Sequence, residues 1–168
     1  MKANLLNRKV HYWLSAVAAV PVLVIIGAGL LLQWKKQLPW VQPPEHRGSP
    51  AAPALTLPQI LEISRRVPEA QIGDWPDVSR VDFRPAKNLV KVTARNRWEI
   101  QLDASTGGVL QVAYRRSDLI EEIHEGSFFH EHAKLWLFFP VAVILLLLTL
   151  TGLWMFAQPF LRRRPPAR

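Results

Sequence analysis

The sequence predicts a small α+β domain held between two membrane-spanning helices. Two observations carry that expectation. Val10–Trp34 and Leu135–Ala157 contain no Asp, Glu, Lys or Arg, and at ~1.5 Å rise per residue each can cross a hydrocarbon core of about 30 Å. Between them, one amphipathic helical stretch is followed by runs of alternating apolar and polar residues separated by short turns. That is the pattern of an antiparallel β-meander with a helix on its apolar face. The 168-residue chain leaves roughly 100 residues between the spans, room for one small domain. An ordinary soluble enzyme is excluded.

Charge orients the chain. Of its 21 Lys and Arg residues, 14 lie from Lys35 to Lys134 together with all 13 Asp and Glu. The remaining basic residues sit in the tails: Lys2, Arg8 and Lys9 at the start, and Arg162, Arg163, Arg164 and Arg168 at the end. Basic residues crowded outside two spans predict cytoplasmic termini in a bacterial inner membrane, with the central domain periplasmic. The anionic lipid leaflet accounts for the same charges, so no nucleic-acid partner is expected. There is no cysteine, hence no disulfide framework, thiolate metal site or cysteine nucleophile. The first apolar run exceeds the about 7–15 residues of a signal-peptide core and no A-x-A site follows it, so it reads as a retained anchor.

The expected segments are a cytoplasmic tail over 1–9, a first span over 10–34 and a proline-rich spacer over 35–55. The domain follows over 56–115, then a connecting helix over 116–134, a second span over 135–157 and a basic tail over 158–168. Tyr12, Trp13, Trp34, Trp136, Trp154 and Phe156 mark the span ends as interfacial anchors. Pro39, Pro43, Pro44, Pro50, Pro53 and Pro58 favour an extended, donor-poor spacer lifting the domain off the bilayer. Thr56 and Gln59 make a capping box that opens a helix with Leu57, Ile60, Leu61 and Val67 on one face. Strands are expected over Val78–Arg84, Leu89–Thr93, Arg97–Leu102 and Val109–Tyr114, with Trp98, Ile100 and Leu102 pointing into the core. From Ser117 a helical stretch leads through His132 into the second span, predicting one nearly continuous helix with Gly126 as its weak point.

Several segments together resemble a known family. WEIQLDASTGGVLQV, RKVHYWLS opening the first span, IHEGSFF before the second and LTLTGLW within it are similar to PepSY domains and PepSY-associated membrane proteins. The resemblance implies a periplasmic PepSY domain tethered by membrane helices. Larger four-span relatives are associated with siderophore or ferric reduction and carry haem on histidines in their spans. Stand-alone PepSY domains of peptidase propeptides imply inhibitory or regulatory binding instead.

The candidate site residues are histidines and their neighbours. His11 matches the family's histidine at the start of span one; it reads as an interfacial residue or as an axial ligand of haem b. Met155, expected at a similar depth on the antiparallel span, is its candidate partner; a second copy of His11 across a homo-oligomer is the other. Glu121, His124, Glu125 and His132 fall, with Phe128, on one stripe if their helix is continuous. They read as a solvated face or as oxygen and imidazole ligands for an iron or copper ion. His46 lies in the spacer, and His130 diverges from His132 around a helix. No G-x-S-x-G, HExxH or phosphate loop is present. The functional expectation is an accessory or regulatory subunit of a redox or iron-uptake system, with a membrane protein partner or a second copy. The alternatives are a haem- or metal-binding oxidoreductase component and a peptidase regulator.

Overall fold

A computed structural model describes the backbone of residues 2–161 and side chains from residue 6. The tail arginines Arg162, Arg163, Arg164 and Arg168 therefore lie outside the described residues. The chain divides into two compact units, Leu31–Ile120 and the pair of apolar helices with their flanks.

In the central unit, α2 (Leu57–Arg65) starts where Gln59 Oε1 accepts the Thr56 N–H at 2.9 Å, one half of the capping box. Strands β1 (Val78–Arg84), β2 (Leu89–Ala94), β3 (Trp98–Asp103) and β4 (Val109–Tyr114) form an antiparallel sheet in sequential order. Short turns enforce that order. Asn88 reverses the chain between β1 and β2 with φ 47°, and Gly107 between β3 and β4 with φ 75°. The register pairs Val92 with Ile100 and Ile100 with Val112. One sheet face thereby meets Ile60 and Leu61 of α2, closing a core with Val90, Val92, Ile100 and Leu102. Trp98 differs from expectation. It packs against this core only in part and meets Tyr114 edge-on at 5.9 Å, because it opens β3 directly after a turn and stands at the sheet's end.

The other sheet face is covered as well, and this corrects the spacer expectation. Residues of 41–53 cross it instead of standing free. Val41 is wholly buried and its carbonyl accepts from Ser117 N–H at 2.8 Å. Gln101 accepts from His46 N–H at 2.9 Å through Oε1 and donates to Pro44 O at 2.9 Å through Nε2. Gly48 N–H donates to Lys87 O at 2.8 Å, and a Cβ on Gly48 would stand 2.2 Å from Asn88 O, so only glycine passes there. Prolines do favour extended backbone, but that backbone satisfies its polar groups on the sheet rather than in water.

The apolar helices are α1 (Lys2–Gln33) and α4 (Phe139–Leu161), the latter preceded by a π-helical turn over Lys134–Phe138. Leu6–Gln33 and Lys134–Leu161 are long and apolar enough to span a bilayer, and only 11% of an apolar 18-residue stretch in each is buried within the protein. A soluble core helix would be mostly buried, so these helices are built to face lipid. The π turn falls where Pro140 has no N–H to continue the α ladder.

The connecting segment is not one helix. α3 (Arg116–Glu125) stops at Gly126, whose φ of +88° lies in the left-handed region. The Phe138 ring packs against Gly126 so closely that a Cβ would lie 2.2 Å from it. A turn fills the chain from there to Ala133. The helical periodicity of 116–134 was therefore overridden by a glycine cap and an aromatic ring seated on it.

Candidate functional site

Two histidines tie helices together: His11 joins the apolar helices α1 and α4, and His124 joins α3 to α1. His11, near the start of the apolar stretch of α1, places Nδ1 2.9 Å from Thr151 Oγ1 on α4. The Thr151 hydroxyl has one hydrogen and can donate it to its own helix, where its oxygen lies 2.8 Å from Leu147 O and 3.1 Å from Leu148 O. With the hydroxyl donating to its own helix, its oxygen accepts from histidine and Nδ1 carries the ring proton. His124, in the last turn of α3, places Nδ1 2.9 Å from Ile25 O of α1, with its ring over Gly29. A carbonyl only accepts, which again puts the proton on Nδ1. Neither Nε2 has a hydrogen-bond partner among the described residues. This is how a ligating histidine is oriented: one nitrogen anchored, the other presented.

The remaining candidates are not gathered. Met155 is half-buried one turn beyond Thr151, and His11 is hydrogen-bonded to Thr151. The stripe of Glu121, His124, Glu125 and His132 is broken because α3 ends at Glu125. Glu121 is exposed. Glu125 pairs with Lys134 Nζ at 2.5 Å and accepts from Ser127 Oγ at 2.9 Å. The bond from Lys134, joined by that from Ser127, holds its carboxyl below the usual range. His132 is exposed and donates its N–H to His130 Nδ1 at 3.1 Å, the two rings lying 5.1 Å apart. The helix break brings these two together where a continuous helix would separate them. Among the described residues no three of His, Asp and Glu converge on one metal position.

A polar centre that sequence reading missed lies on the covered face of the sheet. Glu99, 1% exposed, accepts from Lys91 Nζ at 3.1 Å and Arg115 Nη1 at 2.6 Å. Lys91, also 1% exposed, reaches Glu45 at 3.3 Å, and Arg115 reaches Asp118 at 2.9 Å. Burial opposes the charge on Arg115, but its bonds to Glu99 and Asp118 outweigh that and raise its pKa further. The hydrogen bond from Lys87 holds the Glu45 carboxyl below its ordinary range against partial burial, with Lys91 adding to the effect. Alternation alone places Lys91, Glu99 and Gln101 on a solvated face. The signal that they are buried sits far away in sequence, in Val41 and Glu45.

With the spans, sheet and histidines placed, comparison with known families is decisive. The profile of the PepSY-associated TM region matches residues 8–168. The chain belongs to this family. The match runs through both apolar helices and the whole intervening domain, so this is a membrane-associated PepSY-domain protein embedded in a lipid bilayer. No curated protein and no solved structure gives a match.

Proposed function

We propose that this PepSY-family chain is an accessory subunit of a membrane redox or iron-uptake system, with its domain on the periplasmic side and both termini cytoplasmic. The observation that carries the reading is the paired histidine geometry: His11 bonds through Nδ1 to α4 and His124 through Nδ1 to α1, and each leaves Nε2 without a partner among the described residues. The donor set fits haem b, for which an imidazole Nε2 is an ordinary axial ligand. α1 supplies one such imidazole in His11 and α3 another in His124, so a second ligand at either would come from a second copy of the chain or a partner helix; Met155 is the alternative near His11. Bound there, haem would supply one-electron transfer. The protein's own residues would set ring tautomer and orientation and keep the site in an apolar surround.

The test is the absorption spectrum of the full chain purified from its native membrane. A Soret band that diminishes in His11→Ala and in His124→Ala supports the reading. A colourless preparation without iron defeats it. Orientation is checked on the same chain: a phosphatase reporter inserted in the loop of Pro50–Pro53 should be active and one after Arg168 inactive, and the reverse pattern would invert the topology.

A further inference from the structure

The central unit contains a cavity of about 670 Å³ whose walls are strongly basic. Lys35, Lys36, Arg80, Arg84 and Lys87 line it, with Lys91 and Arg115 on its inner wall, against only Glu45 and Asp82. Some of this charge is matched. Arg80 pairs with Asp82 at 2.9 Å, and Glu45 takes Lys87 at 2.9 Å, Lys91 at 3.3 Å and Arg84 at 3.8 Å. Glu99 and Asp118 pair with Lys91 and Arg115 at the edge of the cavity. Counting all four acids against the seven bases still leaves three positive charges over. Lys35 and Lys36 have no acidic partner among the described residues. Like charges converging on one concavity repel unless an anion joins them, and a low-dielectric wall strengthens both effects.

The position of two of these lysines points to the anion. The first apolar helix ends at Gln33, and Lys35 and Lys36 follow within a few residues. Covalent continuity alone keeps them at headgroup depth, where phosphate is the abundant negative group. The cavity falls in the roughly 300–1,000 Å³ range of small-ligand sites. Lysine and arginine are also the side chains that bind phosphate oxygens most strongly. We propose that this cavity binds phosphate, the nearest source being the headgroup of an anionic phospholipid. Its inner wall is rigid, because Lys91 and Arg115 are locked on Glu99. Its outer lip, Lys35 and Lys36, is the part that responds to the ligand. Binding there would clamp the domain to the membrane surface independently of any cofactor at the histidines.

The test uses the full chain in an uncharged detergent, with tryptophan fluorescence following thermal unfolding. Short-chain phosphatidylglycerol is titrated against short-chain phosphatidylcholine, and sodium phosphate against sodium chloride at equal ionic strength. Wild type should be stabilised in a saturable way by phosphatidylglycerol and not by phosphatidylcholine. Stabilisation by inorganic phosphate, without a further gain from the lipid, would assign the same site to a soluble phosphate ligand. In Lys35→Gln/Lys36→Gln the apparent affinity should fall by about tenfold or more. Arg65→Gln/Arg66→Gln removes equal charge from α2, away from the cavity, and should change affinity by less than about twofold. Arg80→Gln is a second cavity variant should the lysine pair alter folding. Equal losses in the Lys35/Lys36 and Arg65/Arg66 variants, or stabilisation by neither phosphate source, would overturn the proposal.

Discussion

Replacing Glu99 by alanine should destabilise the PepSY domain more than any single surface change. Its carboxylate accepts from Lys91 at 3.1 Å, from Arg115 at 2.6 Å and from Gln101 Nε2 at 2.8 Å, and it is 1% exposed. Removing one partner of a buried pair typically costs about 3–5 kcal/mol, because the stranded charge keeps its desolvation penalty. Here each cation retains a second acid, Lys91 on Glu45 and Arg115 on Asp118, which places the loss near the lower end, about 3 kcal/mol. A unit spanning Leu31–Ile120 is worth roughly 5–13 kcal/mol in total at ordinary per-residue stability. The variant should therefore lose roughly a quarter to three-fifths of its folding free energy, or roughly 12–24 °C in Tm. Urea unfolding of the full chain in detergent, followed by tryptophan fluorescence, measures it. Glu62→Ala, which breaks only exposed pairs with Arg65 and Arg66, is the comparator and should cost no more than about 1 kcal/mol. A Glu99→Ala loss below about 1 kcal/mol would show that the covered face is wet and that the segment over it is a loose spacer after all.

Two further outcomes follow from the same geometry. Asp103 accepts from Ser49 N–H and Ser105 N–H at 2.8 Å and from Thr106 N–H at 3.2 Å, which lowers its pKa from 3.8 to about 2. A depressed carboxyl stabilises the fold fully above its unfolded pKa, so this contribution should fade as pH drops from about 4 toward about 2, and pH-dependent melting of Asp103→Asn should lack that acid limb. Gly126→Ala forces a side chain onto a residue at φ +88° and into the Phe138 ring. It should lower the stability of the helix pair by about 1–3 kcal/mol in thermal melts, with partial recovery in Gly126→Ala/Phe138→Ala; an unchanged melt would mean that the helix break is not set by Gly126.

Much of the architecture was legible in local sequence because local physics determines it. Two charge-free runs longer than a bilayer is thick can only be spans. Period-2 strands around turns such as Pro85–Asn88 and Asp103–Gly108 can pair only with their neighbours, so the meander and its core residues Ile100 and Leu102 follow directly. His11 was visible as a candidate from its motif, and His124 from its place ahead of the second span. What it would bond to was not. The partners of His11 and His124, Thr151 and Ile25, lie 140 and 99 residues away in the chain, and no periodicity encodes contacts at that range. The proline-rich segment shows the same limit from the other side. Composition favours an extended spacer over 35–55, but whether such a chain stands in water or lies on a sheet depends on the donors and acceptors that Lys87, Gln101 and Asp103 offer it. Gly126 is the converse case, where a helical pattern continued through a position that Phe138 holds in the left-handed region. The sequence by itself determined which segments cross the membrane and which strands form the sheet. Only the tertiary structure decided which polar residues are buried together and which imidazole nitrogens are left to present, because those outcomes depend on distant groups competing for the same hydrogen bonds.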